Sequence, residues 1–168
     1  WCIIGYKRLE KAIEELGMQD RVAIEWQPFQ LNPYVGEEGE NLREHLMKKY
    51  GNSKEDGIRS RQQLTSLGAE LGFTFNFFDN MKTYNTRDAH LLLDYAKSQG
   101  KQMALQQRLF DAYFSEQQDI SHRETLAKLL ADVGLNTSEA MVVLDDEAAA
   151  ETLGGNLTYW RELGVSSV

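Results

Sequence analysis

The residues Trp1-Cys2-Ile3-Ile4-Gly5-Tyr6-Lys7-Arg8-Leu9-Glu10-Lys11-Ala12 put a cysteine at the start of an amphipathic segment. Leu9, Ala12, Ile13 and Leu16 recur at i, i+3, i+4 and i+7, Lys7, Arg8, Glu10, Lys11, Glu14 and Glu15 take the other face, and Gly17 is a stop signal. The spacing predicts a helix over 1–17. Immediately after it, Val22, Ile24 and Trp26 alternate with Ala23, Glu25 and Gln27, which predicts a strand over 22–27 that loses its pairing at Pro28. A lone strand leaves both edges open, so its partners are expected in Phe73–Phe77, in Ser166–Val168 or outside the sequence. The chain also starts at Trp1 rather than Met. It therefore reads as an interior slice of an α/β protein whose sheet is cut at both ends.

The remainder is read as mostly helix. Leu42, Leu46, Met47 and Tyr50 form a short helix ending at Gly51, and Ser53 with Asp56 forms a capping box that opens a long helix carrying Leu64, Leu67 and Leu71. Phe73, Phe75 and Phe77 alternate and predict extended chain. Then come stripes at Ala89, Leu92, Leu93 and Ala96, and at Leu105, Leu109, Ala112 and Tyr113. Ser121 with Glu124, and Asn136 with Glu139, are read as the caps of two further helices, and Leu153, Leu157 and Trp160 as the face of a last one. In 168 residues, 18 Lys plus Arg against 26 Asp plus Glu leave a net charge of −8. Most of the surface then repels phosphate backbones, so no nucleic-acid partner is expected. No apolar run approaches the roughly 20 residues of a membrane span. A single cysteine excludes an internal disulfide, and no His, Cys or carboxylate spacing suggests a metal.

Beside this reading stands a resemblance that runs the length of the chain. It is carried by Trp1-Cys2-Ile3-Ile4-Gly5-Tyr6, Trp26-Gln27-Pro28-Phe29-Gln30-Leu31-Asn32-Pro33 and Tyr84-Asn85-Thr86-Arg87-Asp88-Ala89-His90. Leu109-Phe110-Asp111-Ala112-Tyr113-Phe114 and Gly164-Val165-Ser166-Ser167-Val168 continue it. These residues resemble the DsbA family of the thioredoxin superfamily, and more narrowly its FrnE-like branch of dithiol-disulfide isomerases. Relatives of that branch include the 2-hydroxychromene-2-carboxylate isomerases and the kappa-class glutathione transferases. The resemblance implies an α/β thioredoxin fold with a large all-helical insertion. Residues 1–35 would carry the active-site helix and strand, 36–163 the insertion, and 164–168 the lead-in to a cis-proline strand.

The resemblance makes Trp1-Cys2 the second half of a Cys-Pro-Trp-Cys site, with Cys2 the resolving thiol and Trp1 lying in the turn between the sulfurs. A cysteine in the first turn of a helix sits at the positive end of the macrodipole, which favours thiolate. The resemblance leaves open whether the missing partner is Cys, for disulfide exchange, or Ser, for glutathione chemistry with glutathione as co-substrate. No other cofactor is implied, and a non-catalytic binding protein on the same fold stands as a further alternative. Val168 would precede the cis-proline and pair with substrate as an added strand. His90, at the border of its helix stripe, would face the cleft with Asn85 and contact substrate. The simpler readings are a backbone-bonded histidine and a helix cap. The expected partner is a protein or small molecule bearing a thiol or disulfide, the expected compartment the cytoplasm, and the oligomeric state is left open.

Overall fold

The computed structural model describes residues 1–166; Val168, one of the expected site residues, and the Ser166–Val168 segment's end lie outside the described residues. Helix α1 runs Cys2–Glu15 with Gly17 in the left-handed region behind it. Its buried residues are Ile3 and Ile4, each 2% exposed, whereas Leu9 and Leu16 of the expected stripe are exposed. No described element covers that face. The expected strand over 22–27 takes no regular secondary structure and belongs to no sheet. Its period survives, since Val22, Ile24 and Trp26 are half-buried and the residues between them exposed. What is missing is a ladder, because a strand exists only through a neighbour's backbone.

The sheet present was not foreseen. β1, Glu40–Asn41, pairs antiparallel with β2, Lys82–Thr83, in the register Glu40 to Thr83 and Asn41 to Lys82. Two residues per strand are too few to show a period. Asn41 then caps α2, Leu42–Tyr50, by accepting from the N–H groups of Arg43 and Glu44, and Gly51 closes it at φ 68°. Helix α3, Lys54–Glu70, opens with the Ser53–Asp56 capping box in both directions. Phe73 to Phe77 return against α3 outside any sheet and with no regular secondary structure, tied by Asn76 N–H to the Phe114 carbonyl at 2.7 Å.

The second half is helical: α4 Arg87–Ser98, α5 Gln102–Phe110, α6 Arg123–Asp132, α7 Thr137–Val142 and α8 Glu147–Glu162. Asp111–Ser115 continues α5 as one π-turn, where the sequence pattern predicted plain helix. The wider turn ends with the Tyr113 hydroxyl donating to the Lys82 carbonyl at 2.7 Å. The expected Ser121 cap does not form. Ser121 is held by Asp119, whose carboxylate takes both its N–H at 2.8 Å and its hydroxyl at 2.6 Å, and α6 starts after His122 with no side-chain cap. The nearer Asx-type turn wins over the capping box.

Two apolar cores result. Leu91, Leu92, Leu105, Leu126, Leu129 and Leu130 are at most 1% exposed and centre the core of the helical half. Ile3, Ile4, Phe73 and Phe75 form the other, with Leu64, Leu67, Phe110 and Phe114 packed on it. Phe110 and Phe114, from the end of α5 and its π-turn, therefore join the helical half to the cysteine-bearing helix. Among the described residues no helix is long and apolar enough to cross a membrane.

Candidate functional site

Cys2 is half-buried in the first turn of α1, directly after Trp1, which is 55% exposed. Both open onto a hollow of about 520 Å³ whose walls include Ile4, Tyr6, Leu9, Ile24 and Trp26. The lining is mainly apolar, Arg8 and Glu25 aside. Burial pushes the Cys2 thiol above its ordinary value, against the positive amino group of Trp1 and the backbone N–H of Cys2, which favour thiolate. Position at a helix start alone points to an acidic thiol; desolvation outweighs it here.

Trp26 is the wall that sequence reading did not single out. Its ring lies 5.4 Å from Tyr6 and 5.5 Å, edge-on, from Phe110. Its indole N–H points at the Met103 sulfur at 3.3 Å. On its far side Trp26 also lines a second, narrow cleft of about 40 Å³, together with Pro28, His90, Leu93, Gln102 and Leu153. The only sequence signal for this was the apolar phase of Val22, Ile24 and Trp26, which marks a buried face without saying what it faces.

His90 and Asn85 do not line the Cys2 hollow. His90 sits in the narrow cleft and donates from Nε2 to the Phe29 carbonyl at 3.2 Å. Asn85 donates to the Val35 and Pro33 carbonyls at 3.1 and 3.4 Å and accepts from Arg87 N–H at 2.9 Å, fastening the 33–35 loop to the start of α4. Both side chains thus hold backbone of the segment that follows Trp26. The expected convergence of Cys2, His90 and Asn85 on one cleft gives way to an arrangement in which, among the described site residues, Trp1 and Cys2 share a hollow and His90 lines the other cleft with Trp26.

Burial lowers the His90 pKa below its ordinary 6.5, the Phe29 carbonyl opposing that shift. The folded protein then binds fewer protons than the unfolded chain just below that value, so stability is full above it and falls as pH drops through it. His90→Gln, which keeps a donor for Phe29, is expected to flatten the decline in thermal midpoint between about pH 7 and about pH 5. An unchanged slope in that variant would assign the pH dependence to other groups.

Compared with known proteins, the whole chain, residues 1–168, matches the family profile described as DSBA-like thioredoxin domain. The uncharacterized protein YwbO of Bacillus subtilis is 26% identical over 137 residues, covering 81% of this chain and 62% of the relative's own length. Among solved structures, a probable DsbA oxidoreductase from Streptomyces coelicolor superposes with a TM-score of 0.91 at 28% identity, over 100% of this chain and 73% of that one. A candidate protein disulfide isomerase from Nitrosomonas europaea superposes at 0.57 with 15% identity, over 74% of this chain and 71% of that one, a likeness of fold alone.

Proposed function

The chain belongs to the DSBA-like thioredoxin domain family, its fold is the thioredoxin-like one with a helical insertion, and on that premise we propose that it serves thiol-disulfide exchange through Cys2. The observation that carries the reading is Cys2 itself: a half-buried thiol in the first turn of α1 at the mouth of an apolar hollow. A thiol pushed up by burial is a poor first attacker and suits the later, resolving step. In that step the Cys2 thiolate attacks the sulfur of an upstream cysteine that holds substrate in a mixed disulfide. A new disulfide forms within the protein, the bond to substrate breaks, and substrate leaves as a thiolate that takes up a proton. Two electrons have passed from the dithiol to the substrate.

Trp1 lies between the sulfurs in this reading, and Val168, outside the described residues, is assigned to substrate contact on the resemblance alone. His90 and Asn85 reach substrate only by way of the 26–35 segment that they fasten. Substrates are thiol- or disulfide-bearing proteins or small molecules, glutathione among them. No other cofactor is needed. The FrnE-like branch, and with it a cytoplasmic setting, rest on the sequence resemblance. The test is covalent: full-length protein incubated with glutathione disulfide and digested without reductant should show the Cys2 peptide in a disulfide. A Cys2 that stays free throughout, with no turnover, would leave the non-catalytic alternative.

A further inference from the structure

The wall that Trp26 builds beside Cys2 is held by a side chain 76 residues further along the chain. The backbone N–H of Trp26 donates to Gln102 Oε1 at 3.0 Å, and Gln102 Nε2 donates to the Trp26 carbonyl at 3.0 Å. One primary amide thus supplies both bonds that a neighbouring strand would otherwise make. Its neighbour Met103 accepts the Trp26 indole N–H at 3.3 Å, and Gln107, further along α5, donates to the Tyr6 hydroxyl at 3.1 Å. The grip is anchored, because Leu105 and Leu109 of the same helix are 1% and 3% exposed in the core of the helical half.

The consequence follows from the period of the segment. Residues 22–27 have no ladder, and sliding an extended chain by one position reverses every side chain. Without Gln102, the Trp26 backbone loses both of its bonds to α5, and the indole N–H to the Met103 sulfur is left to hold the phase of the segment. We infer that Gln102 is a positioning residue that fixes the Trp26 wall and thereby gives Cys2 a preference for disulfides carrying an aromatic or other apolar group next to sulfur. The inference rests on the thiol reading above and adds a specificity determinant to it.

The test measures the rate at which Cys2 of the full-length protein is labelled by two neutral probes, dithiodipyridine and bis(hydroxyethyl) disulfide. In either case the Cys2 thiolate attacks one probe sulfur, a Cys2–S–S–R bond forms, the probe's S–S bond breaks, RS⁻ leaves, and the thiol proton goes to buffer. The ratio of the two rates cancels the thiolate fraction. Gln102→Ala is expected to lower the aromatic-to-aliphatic ratio by roughly tenfold, the scale of one apolar contact in a pocket. Exposed Gln99→Ala serves as the control.

Gln102→Glu sharpens the test. At about pH 8 its carboxylate accepts from Trp26 N–H but repels the Trp26 carbonyl; mostly protonated by about pH 4, it donates to that carbonyl and restores both bonds. Its ratio should therefore recover at the lower pH. His90, Asp94 and Lys97 line the same cleft and Glu25 pairs with Lys97, so each ratio is taken relative to wild type at the same pH. A folded Gln102→Ala protein with the wild-type ratio, or a Gln102→Glu ratio indifferent to pH, overturns the inference and leaves the thiol reading standing. Wild-type Cys2 that enters no disulfide with either probe, neither directly nor by resolving a mixed disulfide on an upstream cysteine, overturns both.

Discussion

Cys2→Ser is expected to bring disulfide turnover by the full-length protein down to the uncatalysed background. A hydroxyl forms no disulfide, so the mixed disulfide on the upstream cysteine has nothing to resolve it. Substrate should accumulate as a covalent adduct, visible on non-reducing gels and released by reductant. The exchange is nearly isosteric at a half-buried position, so the fold should persist. Wild-type protein adds a pH signature. Because burial raises the Cys2 thiol, single-turnover resolution should keep accelerating as pH rises beyond the ordinary thiol value of 9.0. The same sign makes stability fall there, since the unfolded chain releases the proton at lower pH than the folded protein does. Full turnover by Cys2→Ser with no adduct would show that Cys2 is not the resolving thiol and would favour the glutathione-dependent class.

What could be read from the residues alone divides along the range of the interactions. The Ser53–Asp56 box, Gly51 behind α2 and the Leu92, Leu93 and Ala96 stripe are local, each set by side chains within about one turn, and each appears where the spacing places it. Ser121 failed for an equally local reason, a competing carboxylate two residues away. The 22–27 segment shows the other limit. Its alternation is a local property and survives, but its pairing depends on what lies beside it, and here that is the amide of Gln102. The site divides in the same way. Cys2 at a helix start was legible together with Trp1. The raised thiol was not, because burial of Cys2 depends on the folded chain around it, Ile24 and Trp26 of the same hollow lying more than twenty residues further along. For His90, a border position on its stripe fits a cleft or a backbone anchor equally well, and only the 3.2 Å approach to Phe29 separates them.

Gly68→Ala offers the largest stability effect expected from a single methyl group. In the last turn of the 17-residue α3, alanine is still intrinsically favoured over glycine, by at most about 0.5–1 kcal/mol, so propensity alone makes the change stabilising. Packing reverses the sign. A Cβ at Gly68 would stand 2.5 Å from Phe75 Cδ2 and 2.7 Å from the Phe73 carbonyl oxygen. The oxygen is backbone, and its residue is pinned to the same glycine because Phe73 N–H donates to the Gly68 carbonyl at 2.8 Å. Neither side can yield without lifting the 73–77 segment from α3. Overpacking of this kind costs about 1–3 kcal/mol or more, which exceeds the propensity gain. Each net kcal/mol lowers the thermal midpoint by about 2–4 °C in a chain of this size. Phe75 also stacks on Phe77 and packs in the cluster of Ile3 and Ile4, so its displacement should slow Cys2 labelling as well as lower the midpoint. Gly57→Ala in the same helix is the internal control, since nothing lies within 4 Å of a Cβ there, and it should raise the midpoint. A Gly68→Ala protein that melts with or above Gly57→Ala would mean that the Phe73–Phe75 return does not press on α3, and the packing under the Cys2 helix would have to be redrawn.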